Sequence, residues 1–226
     1  ISPQEFDAAI VHEVGHFSGL DHSQFNVNCL NFCGNDDREG LPTMFPSLVD
    51  TSQGTPAPDD IAWISRLHPE TAGGTTFAGT HGTITGTVFF SDGQTHAQTV
   101  NVIARRVDAG GNEDRRIAVS VISGYKFTGQ LGNPILNNGS SPFGTVQASD
   151  VGLFEIPVPA GSYTVEVESI HPLFLEDSSI GDFPIAMPGT APPPTGVIVV
   201  PAGATVSVGN IVLIGTQPRF DQFEGP

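Results

Sequence analysis

The sequence predicts an α+β chain: two helices set among loops in residues 1–70, then an all-β antiparallel sandwich of about seven strands in residues 81–226. Three observations carry this prediction. Apolar residues recur at three- and four-residue spacing before residue 70. Beyond residue 80, runs of β-branched residues alternate with turn residues, and no helical period intervenes. Between the two lies a Gly/Thr-rich stretch, residues 71–80, that reads as a linker.

The first helix is placed over residues 2–17. Ser2 is a good N-cap, Pro3 suits the first helical position, and Glu5 completes an S-x-x-E capping box. Phe6, Ile10, Val14 and Phe17 repeat at helical spacing and are expected to form a buried stripe, and Gly19 ends the helix. Residues 23–57 read as loops. A second helix is expected from about Asp59 to His68, opened by Pro58, Asp59 and Asp60, with Ile61, Ile64 and Leu67 inward and Pro69 as its stop. Strands are expected over residues 83–90, 99–107, 117–122, 152–158, 163–170, 197–200 and 205–214. The proline-rich stretch 178–195 reads as a long loop.

Composition narrows the function. The net charge of −16 comes from 24 acidic and 8 basic residues, and Lys126 is the sole lysine. Such a surface argues against nucleic acid and anionic lipid as partners, which are bound through Lys and Arg. No apolar run approaches the ~20 residues a membrane helix needs. The balance suits a secreted, extracellular protein. The opening Ile1-Ser2-Pro3-Gln4 has no signal-peptide pattern, so the chain reads as a piece of a longer precursor. Cys29 and Cys33 could close a small disulfide in an oxidising compartment or remain free thiols.

The chemistry is carried by residues 12–22, which fit H-E-x-x-H-x-x-G-x-x-H at every fixed position. Histidines four apart on a helix lie about 40° apart around its axis, so His12 and His16 point at one metal ion. Glu13 can then reach a water on that ion without being a ligand. Gly19 permits the positive φ needed to turn the chain back and deliver His22. Three neutral imidazoles leave the fourth position of a tetrahedral Zn²⁺ open, as in catalytic sites. His81, His96 and His171 show no ligand spacing and read as surface or turn residues.

These residues resemble the motif of the metzincin zinc peptidases, and Gly19-Leu20-Asp21-His22-Ser23 is most similar to the matrixin branch. Thr43-Met44-Phe45-Pro46 resembles that family's Met-turn. The resemblance implies that Met44 lies beneath the metal and that Phe45 and Pro46 wall a specificity pocket. Pro58-Asp59-Asp60-Ile61 through His68 resembles the last helix of the catalytic domain. Residues 1–70 would then be the C-terminal part of such a domain, its lower subdomain, acting on a polypeptide substrate with Glu13 as catalytic base. The insert 24–41 departs from the pattern. Its Asn35-Asp36-Asp37 could hold Ca²⁺ or simply be solvated. The family's N-terminal sheet, against which the zinc helix packs, has no counterpart here. The stripe on the first helix is therefore expected to meet a missing N-terminal subdomain or another chain, and the chain alone is expected to cleave peptides poorly. An inactive assembly module built on a peptidase remnant is the alternative. Residues 81–226 resemble, more loosely, the carboxypeptidase-regulatory or transthyretin-like sandwich, on 81–88 and on 152–156 with 159–165.

Overall fold

The computed structural model describes residues 1–23, 38, 40–70, 76–97, 100–124, 150–168 and 191–215. Helix α1 spans Pro3–Phe17, and its start is the one expected. The Glu5 N–H donates to Ser2 Oγ (3.2 Å), and the Ser2 N–H donates to the Glu5 carboxylate (2.6 Å). Its end is a Schellman turn with Gly19 at φ 93°: the Gly19 N–H bonds the His16 carbonyl (2.9 Å) and the Leu20 N–H bonds that of Gly15 (3.0 Å).

Within this chain α1 buries the face opposite its apolar stripe, which is the face expected to meet a partner outside the chain. Phe6, Ile10, Val14 and Phe17 are 56%, 48%, 54% and 92% exposed, whereas Ala8 is buried. At 100° per residue, Ala8 and Gly15 lie across the helix from the large apolar stripe. Ala8 packs on the 3₁₀ turn Thr51–Gly54, and Gly15 packs on Met44. Small side chains let the 41–55 segment approach closely, which bulky ones would prevent, so this side meets the rest of the chain.

Helix α2 (Pro58–Leu67) shows a similar shift. Asp59, Asp60 and Ala62 are buried, while Ile61 is 46% exposed and Ile64 and Leu67 are half-buried. The face holding Asp59, Ala62 and Trp63 packs against the sheets, which turns Ile61 away. A single helical turn, α3 (Phe77–Thr80), leads into the first strand, with the Phe77 ring stacked on His81.

Each of the seven expected runs contains a strand among its described residues: β1 (His81–Phe89), β2 (Asn101–Val107), β3 (Glu113–Ile122), β4 (Leu153–Pro159), β5 (Gly161–Glu168), β6 (Ile198–Val200) and β7 (Thr205–Val212). They form two sheets, ordered β4-β1-β7 and β3-β2-β5-β6. The pairing is antiparallel except that β7 runs parallel to β1, where wholly antiparallel sheets were expected. The reason lies in β6, which pairs with β5 in one sheet before the chain turns at Gly203 (φ 72°) and crosses to the other. Inward side chains of both sheets share one apolar core, among them Ile84, Val88, Val102, Ala104, Phe154 and Ile156. Burying side chains of this size contributes roughly 1.5–3 kcal/mol each.

Ala62 of α2 lies inside that core, and Trp63 packs against it. The same helix covers β3, an edge strand among the described residues. An edge presents backbone groups with no neighbouring strand to bond them. At Ser120 they are met by side chains instead: its N–H donates to Asp59 Oδ1 (2.7 Å), and its carbonyl accepts from Trp63 Nε1 (2.8 Å). The residues before 70 and the sheets after 80 are thus in direct contact.

Candidate metal centre

Helix α1 and the turn after it bring His12, His16 and His22 together. Their Nε2 atoms form a triangle with edges of 3.1, 3.1 and 3.2 Å. The other ring nitrogens settle two of the tautomers. His12 Nδ1 lies 2.7 Å from the Thr43 carbonyl and His16 Nδ1 lies 3.0 Å from the Leu20 carbonyl. A carbonyl can only accept, so each Nδ1 carries the proton and each Nε2 presents a lone pair. In the neutral trio at most one Nε2, that of His22, can hold a hydrogen. Nitrogen lone pairs that converge in this way suit a cation. Among the described residues this is the group that could hold a metal ion. The set is all imidazole, which suits transition metals, whereas calcium prefers oxygen.

The carbonyl anchoring His12 belongs to a tight turn, closed by the Phe45 N–H to the Pro42 carbonyl (3.1 Å). Two buried side chains fix that turn. Asp60 accepts from the N–H groups of Thr43 (2.8 Å), Met44 (3.1 Å) and Ala57 (2.8 Å). Burial raises its carboxyl pKa above the ordinary value, and these three donors, with the nearby His12, oppose the rise. Gln53 accepts from Val49 and Asp50 N–H at its Oε1 and donates from Nε2 to the carbonyls of Pro42 and Ser47. One peptide unit, Thr43 C=O to Met44 N–H, thus stands between the His12 imidazole and the Asp60 carboxylate.

Met44 is buried against Gly15, the residue before His16. A Cβ at position 15 would run into Met44 Sδ, so any side chain there would have to displace the buried methionine. The Met44 carbonyl accepts the N–H of Ser23 (2.8 Å), the residue after His22. Glu13 is exposed on α1, beside His12 in sequence.

Of the residues singled out in the sequence, the three histidines converge, Gly19 has its positive φ, and Met44 packs on the histidine helix. Phe45 is buried within the turn and Pro46 is half-buried. Cys29, Cys33, Asn35, Asp36, Asp37 and His171 lie outside the described residues. His81, read as a surface or turn residue, is buried: Thr80 Oγ1 lies 2.8 Å from its Nδ1, and burial lowers its pKa. His96 is half-buried with its ring edge-on to Phe89. Sequence reasoning missed the parts played by Gln53, Asp60, Ser23 and Ser120. Asp60 resembles any helix-opening acid, and nothing in the pattern marks the others. No protein-family model matches the chain, and no curated protein is similar to it.

Proposed function

We propose that this chain carries the zinc-binding half of a metzincin-type endopeptidase, secreted and acting on polypeptides. The single observation behind the proposal is the Nε2 triangle, with two of its three tautomers held by backbone carbonyls. Zn–N bonds of about 2.0–2.1 Å in a tetrahedron put nitrogens about 3.3 Å apart, close to the 3.1–3.2 Å found here. We read the two sheets as an accessory sandwich of the carboxypeptidase-regulatory or transthyretin-like kind.

A bound zinc ion would supply Lewis acidity, lowering the pKa of its water and polarising a substrate carbonyl. The chain's own residues do the rest. His12 and His16 hold their lone pairs in place through Nδ1–H bonds to carbonyls, which also raise their basicity as ligands. Glu13, exposed to solvent one residue from His12, accepts a proton at its carboxylate and returns it to the leaving amine. Met44 fills the space beside Gly15 on the inner side of the helix.

The test has two parts. Metal analysis should find about one zinc per folded chain, largely lost in the His12→Ala/His16→Ala double variant. Full zinc in that variant would refute the ligand assignment. Glu13→Gln should keep the zinc while cleavage of a quenched peptide falls by roughly a hundredfold or more. Cleavage within about tenfold of the parent would place the base elsewhere. The chain alone is expected to cleave poorly, so cleavage is assayed with it joined to an N-terminal subdomain; zinc binding there without chelator-sensitive cleavage would favour an inactive assembly module.

A further inference from the structure

His12 and His16 stand on a capped helix, but His22 comes after the helix has ended, where the chain beside it is held by other parts of the fold. Ser23 is that neighbour. It is buried, its N–H donates to the Met44 carbonyl (2.8 Å), and its hydroxyl lies 3.1 Å from the hydroxyl of Ser120, 97 residues away on β3. Ser120 is itself clamped. Asp59 takes its N–H and Trp63 bonds its carbonyl, so its backbone cannot shift relative to α2. Asp60, the next residue of that helix, holds the Thr43–Met44 turn whose carbonyl anchors His12. These contacts close a circuit from His12 through Thr43, Asp60 and Asp59 to Ser120, Ser23 and His22. Each of its hydrogen bonds is 3.1 Å or shorter.

From this circuit we infer that Ser120 is a positioning residue for the ligand His22, and that the four-stranded sheet is a working part of the metal centre. The inference rests on the metal-centre reading above. A third ligand free to wander must be ordered when the ion binds, and that ordering opposes binding. A ligand already pinned from two sides avoids most of it, as outer contacts do in metal sites generally.

The experiment compares parent, Ser23→Ala, Ser120→Ala, their double variant and Ser123→Ala. Ser123 serves as the control: it is buried just beyond β3, and its hydroxyl bonds the Ala97 carbonyl (2.8 Å) and the Val100 N–H (3.0 Å), so its loss loosens the sheet without touching the circuit. The measurements are the Zn²⁺ and Co²⁺ dissociation constants by chelator competition and the visible d–d spectrum of the Co²⁺ form. Melting temperatures of the metal-free proteins record that each variant is folded. Ser120→Ala and Ser23→Ala should each weaken binding about three- to tenfold, below the 10- to 100-fold usual for direct outer partners of a ligand. The double variant should lose less than the product of the two single losses, since the two hydroxyls share one contact and both also reach the Asp59 carboxylate. The Co²⁺ band should change in these variants and not in Ser123→Ala. A Ser120→Ala constant within about twofold of the parent overturns the inference, as does an equal loss in Ser123→Ala. A parent that takes up neither metal overturns the metal centre itself, a different and recognisable result.

Discussion

Asp59 offers the sharpest test of how the two parts of the chain are joined. Its carboxyl is buried beside β3, and burial, reinforced by the neighbouring charge of Asp60, pushes its pKa to about 8. In the unfolded chain the same group titrates near the ordinary ~3.9. Between those values the folded protein holds a proton that the unfolded chain has released. Stability from this group is therefore complete below about pH 4 and is lost as pH rises to about 8, at roughly 1.4 kcal/mol per unit. Asp59→Asn imitates the protonated acid: its Oδ1 still accepts the Ser120 N–H, and it cannot ionise. Subtracting parent from variant cancels the titration of the histidines, which both share. The variant should therefore gain on the parent by on the order of 3 kcal/mol between pH 5 and pH 7.5, a large share of a typical domain's stability. Urea unfolding of the metal-free proteins, followed by fluorescence, measures it directly. Trp63 is the only tryptophan, and it bonds the Ser120 carbonyl at this same junction. A difference that changes by less than about 1 kcal/mol over that range would refute a buried, protonated Asp59.

Two further outcomes follow from packing. Gly15→Ala drives a methyl into Met44 Sδ; it should cost about 1–3 kcal/mol by overpacking and weaken metal binding, as read by denaturant melts and chelator titration. Ile10→Glu on the exposed stripe should leave the melting curve within about 0.5 kcal/mol of the parent, and a larger loss would mean that the stripe is covered in solution.

Local features were legible in the sequence, because local rules set them. The Ser2–Glu5 box, the Gly19 turn, the histidine register and the seven strand runs each depend on residues a few positions apart. What could not be read depends on partners far along the chain. The large apolar stripe of α1 drew attention to one face, yet within the chain the smaller residues Ala8 and Gly15 set the packed face, because Met44 and the 51–54 turn approach closely there. Asp59 and Asp60 look like acids placed to favour a helix N-terminus. Their burial follows only once Thr43, Met44 and Ser120 are brought to them. The parallel β1–β7 pair was equally invisible, since alternation along a strand says nothing of a neighbour's direction.

The way α2 meets β3 has a consequence for the protein's behaviour in company. An open strand edge is a template on which another molecule's strand can add, the first step towards fibres and swapped assemblies. Asp59 offers Ser120 an acceptor where an incoming strand would offer a carbonyl, and Trp63 offers a donor where it would offer an N–H. The helix thus mimics the next strand and closes the ladder at Ser120. The opposite end of that sheet is β6, three residues long, too short to recruit much. Loosening α2 should therefore lower solubility as well as stability, since it would bare the edge at Ser120.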